Sequence, residues 1–134
     1  MALRTPVPQE RWVSVLGVGI DIVEVERIHR AVERWGDRFL RRVLTEEELA
    51  DCHRTGHFLQ SVAARFAAKE AFVKAIPGDQ ARKLPWHEFA VVRSAAGRPL
   101  PELGERARRL VGAHRVYVSL THSEAYAAAV VVIE

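Results

Sequence analysis

The sequence predicts one domain that combines α-helices with β-strands, on three observations. A β-branched stretch opens the chain at Val13–Ile22, apolar residues recur at helical spacing through its middle, and two apolar runs near its end read as a hairpin. At 134 residues the chain can enclose a core, yet it is small enough that association would help it bury surface. Hydrophobic residues make up 49% and charged residues 28%, which excludes a disordered or membrane-embedded chain. Twenty Lys and Arg against 17 Asp and Glu leave a net charge of +3. That suits an acidic partner or a polyphosphate ligand and is too weak to argue for nucleic acid. The single cysteine, Cys52, cannot form an internal disulfide or a multi-thiolate metal site, and reads as intracellular. Residues 1–12 carry Arg4, Pro6, Pro8, Glu10 and Arg11 without an apolar run, so they read as a loose N-terminal extension and not a secretory signal. A cytoplasmic protein with its domain over 13–134 is expected.

In chain order, Val13–Ile22 is read as a strand. Ser14, Leu16, Val18, Ile20 and Ile22 share one face, and Val13, Val15, Gly17, Gly19 and Asp21 the other. Two glycines before an aspartate often mark a close approach by a ligand or another backbone, so this face is expected to form an open shelf carrying one carboxylate. The alternative is an aspartate that caps the next helix. Val25, Ile28, Ala31, Val32 and Trp35 predict a helix closed by Gly36, with Arg27, Arg30 and Arg34 on its other face. A second short helix over 37–44 adds Arg38, Arg41 and Arg42. These arginines form either a docking face or a solvated one paired with Glu26 and Glu33. Thr45 and Glu48 match a capping box that opens a third helix to about His53.

Thr55-Gly56 breaks the chain before a long helix over about 59–76, ended by Pro77-Gly78. Val62, Phe66, Val73 and Ile76 form its apolar stripe, with Glu70 beside it at a core edge. A carboxylate so placed needs Lys74 at i+4, a bound metal or a proton. Further on, Trp86–Arg93 reads as a strand, 95–99 as a turn and 103–112 as a helix with Arg106, Arg108 and Arg109. Arg115–Thr121 and Tyr126–Ile133 form the hairpin, and the continuous apolar run of the second suggests cover on both faces, by core or by another subunit. No phosphate loop of the GxxxxGK type, CxxC set, HExxH spacing or repeat is present.

Taken together, the stretches Gly17-Val18-Gly19-Ile20-Asp21-Ile22-Val23-Glu24-Val25-Glu26-Arg27-Ile28 and Arg65-Phe66-Ala67-Ala68-Lys69-Glu70-Ala71-Phe72-Val73-Lys74-Ala75 resemble the two signatures of the 4′-phosphopantetheinyl transferase superfamily. The likeness is strongest to its short, one-lobe type and runs from Leu16 to Glu134, with a weaker Gly97-Arg98-Pro99 turn and a Ser119-Leu120-Thr121-His122-Ser123 strand end. Each motif alone is moderate evidence. Both together in this order are specific.

The resemblance implies an α+β fold, a small antiparallel sheet wrapped by helices, assembled as a homotrimer with active sites at subunit clefts. It implies transfer of 4′-phosphopantetheine from coenzyme A to a serine of apo acyl carrier protein, leaving adenosine 3′,5′-bisphosphate. Mg²⁺ is the implied cofactor, held by Asp21 and Glu70, since such a cation prefers one or two carboxylates with phosphate oxygens and waters. Glu70 and Lys74 are the implied catalytic residues. Lys74, Arg65 and His122, with Lys69 beside them, are the implied coenzyme contacts. The serine proton could pass to Glu70 through a water or to a metal-bound hydroxide. Two other classes of function fit the same residues, a non-catalytic subunit that binds coenzyme A or carrier protein and a metal-dependent phosphohydrolase. The chain departs from the family where Ile76-Pro77-Gly78-Asp79 keeps one glycine of a Gly-rich turn and adds a proline, which predicts a stiffer or displaced loop over the coenzyme.

Overall fold

The computed structural model describes residues 14–134, so the expected extension over 1–12 and the first residue of the expected strand lie outside the described residues. Strand β1 (Gly17–Glu24) leads into helices α1 (Val25–Trp35), α2 (Asp37–Val43), α3 (Glu46–Arg54) and α4 (Phe58–Ala75). Two 3₁₀ turns, Gln80–Lys83 and Trp86–Glu88, precede the strands β2 (Phe89–Arg93) and β3 (Pro99–Leu103). Helix α5 (Glu105–Val111) and strands β4 (Val116–His122) and β5 (Tyr126–Ile133) complete the chain. The architecture is α+β, as expected. No helix of the described residues is long and apolar enough to cross a membrane.

A three-stranded antiparallel sheet in the order β1-β5-β4 carries α4 on one face, and β2 and β3 pair separately. In the main sheet Asp21 stands opposite Ala129, which stands opposite Leu120. Alternation decides what faces the helix: Ala127, Ala129, Val131 and Ile133 of β5 are buried, while Ala128, Val130 and Val132 on the outer face are half-buried. The cover expected on both faces of this strand is therefore complete on one face only within a single chain.

Local chemistry accounts for the boundaries. Gly36 takes φ +56° beyond α1, a region that favours glycine, and its N–H closes on the Val32 carbonyl. The capping box at α3 forms: Thr45 Oγ1 accepts from the Glu48 N–H at 3.2 Å, and Glu48 Oε1 accepts from the Thr45 N–H at 3.0 Å. Strand β3 departs from expectation, which ends a turn at Pro99 and starts a helix at Leu103. Pro99 and Pro101 alternate, so both missing N–H groups fall on the side away from one partner, and an edge strand tolerates that.

The expected stripe of α4 is also corrected. Phe66 and Val73 are only half-buried, and the face that meets the core is built of Ala63, Ala64, Ala67, Ala68, Ala71 and Ala75 with Val62 and Phe72. Hydrophobic scale favours the larger residues, but close contact with a sheet selects the smallest.

Candidate active site

The Gly17/Gly19 face is not an open shelf. A Cβ built on Gly17 would lie 1.8 Å from the Ala75 carbonyl oxygen, and one on Gly19 would lie 1.8 Å from that of Ala71. The glycines exist to let the α4 backbone rest on β1. Two strand residues advance about 6.6 Å and four helical residues about 6 Å, so successive glycines meet successive turns. Asp21, the next residue on that face, is thereby brought to the flank of α4.

There Lys74 Nζ donates to Asp21 Oδ1 at 3.0 Å and to the Ile20 carbonyl at 3.0 Å. Asp21 does not cap α1, whose N-cap residue is Glu24. Nor is Lys74 the ion-pair partner of Glu70: among the described residues Glu70 has no ion pair or side-chain hydrogen bond. Glu70 and Lys74 both line a pocket of about 400 Å³ together with Leu84, Trp86 and Phe89. Asp21, Glu70 and Lys74, three residues singled out in the sequence, are thus gathered at one flank.

The donor set suits the implied cation. Among the described residues nothing occupies the acceptors of Glu70, and Asp21 has one oxygen beyond the one engaged by Lys74. Among the described residues no group of three or more His, Cys, Asp or Glu forms a closed metal cage. Two carboxylates with room for waters and phosphate oxygens match the coordination habit of Mg²⁺.

Two implied coenzyme contacts are engaged within the protein, Lys69 even though it lines the same pocket. Arg65 is 1% exposed and Lys69 3% exposed. Arg65 Nε donates to the Val91 carbonyl at 3.0 Å and Nη1 to that of Ser61 at 3.3 Å, while Nη2, without a hydrogen bond, is 3.9 Å from Asp51. Lys69 Nζ donates to Glu48 Oε1 at 2.8 Å and to the carbonyls of Trp86 at 3.1 Å and Phe89 at 2.6 Å. Burial pushes its pKa down, against the opposing pull of Glu48. Both cations hold α4 to α3 and β2, so neither is presented to a phosphate in this fold. Arg65, five positions before Glu70, projects to another flank of the helix, while Lys69 lines the pocket with its protons taken by Glu48, Trp86 and Phe89.

His122, the third, is exposed at the end of β4, its ring 5.6 Å from that of His57 at the N-cap of α4. Glu70 is thirteen residues beyond His57, about 20 Å along the helix at 1.5 Å per residue. One chain does not bring His122 to the carboxylates.

Sequence reasoning missed the pocket lining of Leu84, Trp86 and Phe89, and the role of Glu48 beyond its cap. Glu48 is fully buried and also accepts from the Val91 N–H at 2.9 Å. Nothing local in sequence ties Glu48 to Lys69. The stacking of Trp86 on Phe66, with ring centroids 5.1 Å apart, is equally a long-range fact. The arginine series divides. Arg27 lies over Phe66 at 5.6 Å and Arg34 over Trp35 at 4.9 Å, whereas Arg30 pairs with Glu26 and Arg41 with Glu46.

With its two motifs joined at one flank of α4, the chain matches the family model described as the 4′-phosphopantetheinyl transferase superfamily over residues 17–131, and it belongs to that family of transferases. Its relatives in the family include holo-[acyl-carrier-protein] synthases. It is 42% identical over 123 residues to a holo-[acyl-carrier-protein] synthase of Koribacter versatilis, covering 90% of this chain and 98% of the relative. The crystal structure of that synthase from Neisseria meningitidis aligns with a TM-score of 0.80 at 33% identity, over 90% of this chain and 99% of the other. The Helicobacter pylori synthase, in complex with coenzyme A, aligns with a TM-score of 0.76 at 30% identity, over 87% and 99%.

Proposed function

We propose that this chain transfers 4′-phosphopantetheine from coenzyme A to a serine hydroxyl of apo acyl carrier protein in an Mg²⁺-dependent reaction. The observation that carries this reading is the convergence of Asp21, Glu70 and Lys74 beside one pocket. The serine oxygen forms a bond to the phosphorus that bears the pantetheine arm, and the bridging P–O bond breaks to release adenosine 3′,5′-bisphosphate. Asp21 and Glu70 would hold Mg²⁺, which when bound neutralises charge growing on the phosphates. Lys74 has three donors, and Ile20 and Asp21 take two, so the third is available to a phosphate oxygen. Glu70 would also take the serine proton through a water.

A homotrimer belongs to this reading. The outer face of the main sheet exposes Val18, Ile20 and Ile22, with Ile20 at 66%, beside Tyr117 and Tyr126. Such a face favours burial against further copies. Assembly with sites at subunit clefts would let His122 of one copy serve the nucleotide held by the next. The acidic carrier protein would dock on the arginines of α1 and α2. The unpaired, fully buried thiol of Cys52 fits a cytoplasmic setting.

The test is mass analysis of an apo acyl carrier protein incubated with the chain, coenzyme A and Mg²⁺. A mass gain of one phosphopantetheine is expected. Hydrolysed coenzyme A with unmodified carrier would instead indicate a phosphohydrolase, and binding without either product a non-catalytic subunit. Sedimentation should give three copies, and Ile20→Lys should shift it toward one.

A further inference from the structure

Six histidines stand in the chain, and the fold occupies four of them. His29 pairs with Glu26 at 3.6 Å and Glu33 at 2.8 Å, His87 Nε2 meets the Arg41 carbonyl at 2.7 Å, His114 Nδ1 meets the Val111 carbonyl at 2.9 Å, and His53 stacks on Phe58 at 4.6 Å. His57 and His122 differ. Both are exposed, their ring centroids lie 5.6 Å apart with the planes tilted by 54°, and among the described residues no ring nitrogen of either makes a hydrogen bond or an ion pair. The fold fixes both backbones. His57 is the N-cap of α4, its N–H donating to Thr55 Oγ1 at 3.2 Å and its carbonyl accepting from the Ser61 N–H at 2.9 Å. His122 ends β4 opposite Ala127, and the turn after it is closed by Ser123, whose N–H donates to the Tyr126 carbonyl at 2.7 Å. Gln60 Nε2 ties that turn to α4 through the Glu124 carbonyl at 3.5 Å.

We infer that His57 and His122 together bind one borderline divalent transition-metal ion, of the class of Zn²⁺, Ni²⁺ and Cu²⁺, at a site separate from the carboxylates of Asp21 and Glu70. Imidazole is the commonest protein ligand of such ions, and each neutral ring presents one lone pair. With metal–nitrogen bonds of about 2.0–2.1 Å and a ring radius of about 1.2 Å, two imidazoles on one tetrahedral ion hold their centroids about 5–6 Å apart. The observed 5.6 Å meets this with ring rotation alone. Mg²⁺ does not compete for the pair, because it takes oxygen ligands, and the carboxylate of Glu70 lies about 20 Å away along α4. Among the described residues no third His, Cys, Asp or Glu completes a cage, so water fills the remaining positions, and the positive end of α4 opposes the cation. Both features keep binding reversible, as suits a regulatory ion. Resting on the transfer reading above, in which His122 serves the nucleotide, an ion held here withdraws that imidazole and slows transfer.

Calorimetric titration of the full chain with Ni²⁺, at saturating Mg²⁺ so that the carboxylates are occupied, tests the site. One Ni²⁺ per chain is expected. His57→Gln and His122→Gln should each weaken it about tenfold or more, while His114→Gln, on the far side of the sheet hairpin, changes it less than about twofold. All three side chains are exposed, and circular dichroism reports whether each variant folds. With Cu²⁺ as the probe, electron paramagnetic resonance should show two coordinating nitrogens on the unmodified chain and fewer on either variant. No Ni²⁺ binding, or binding unchanged in both variants, overturns the site. Ni²⁺ should also inhibit transfer to carrier protein, and His57→Gln should raise the inhibitory concentration about tenfold; equal inhibition of both chains overturns the regulatory role. Because the binding readouts need neither coenzyme A nor carrier protein, a chain that transfers nothing would sink the transferase reading while the metal site is still decided.

Discussion

Helix α4 carries two lysines five residues apart, and they lead opposite lives. On one flank Lys69 and Arg65 are buried, with acceptors supplied by Glu48, Ser61, Trp86, Phe89 and Val91. On the other, Lys74 is exposed and reaches across to Asp21 and the Ile20 carbonyl, with Glu70 beside it unpaired among the described residues. Residue type does not separate the two, because both flanks offer cations near carboxylates. Buried against exposed hydrogen-bonding capacity does: one flank is engaged by its own protein in all but Arg65 Nη2, and the other holds acceptors and a donor in reserve for something that arrives.

The sharpest way to break this contrast is Lys69→Met. It leaves the Glu48 charge buried without its partner, and a loss of about 3–5 kcal/mol in denaturant unfolding is expected. A midpoint and slope close to wild type would mean that this flank is not structural. Glu70→Gln and Asp21→Asn should do the converse, with unchanged melting and a fall in transfer of about 100-fold or more, since each removes charge where negative phosphate accumulates. Turnover near wild type at saturating Mg²⁺ in either variant would dismiss the two-carboxylate site. Lys74→Ala should lower kcat about tenfold or more while changing coenzyme A affinity less, as for a contact that strengthens in the transition state. If affinity alone falls, the ammonium is a ground-state contact.

Arg27→Glu should slow association with carrier protein several-fold, and salt should mimic it, because exposed charges are screened over about 8–10 Å. Indifference to both would move docking toward Arg106 and Arg108. Smallest is the effect of pH on the buried flank, where burial pushes the Cys52 thiol up from 9.0 to about 11. The unfolded chain then releases this proton before the folded one does, so the thiol's contribution to stability falls as pH rises from 9 toward 11. Alkylation at pH 8 should be slow in the native protein and rapid once it unfolds.

Much of this was legible in sequence because it was local. Gly36, the Thr45–Glu48 box and the terminal hairpin follow from rules spanning a few residues, and the two motifs named Asp21, Glu70 and Lys74 before any geometry was known. What escaped depended on separation in the chain. The wall of Leu84, Trp86 and Phe89, the burial of Arg65 and Lys69, and the inward face of alanines on α4 are decided by β1 and β2 packing against a helix that no window of sequence contains. Strand β3 escaped for a different reason, since prolines argue against a strand unless one knows it is an edge.

The contact of Gly17 and Gly19 with α4 has a consequence for how steadily the site holds its shape. Side chains that interlock can hop between rotamers and let two elements breathe, but a strand resting directly on helix carbonyls has no such slack, and repulsion there rises steeply over tenths of an ångström. The spacing between Asp21 on β1 and Glu70 and Lys74 on α4 is therefore gauged by hard backbone surfaces. Adding a single methyl group at position 17 or 19 would pry the gauge open, and chemistry would suffer from a residue that contributes no functional group at all.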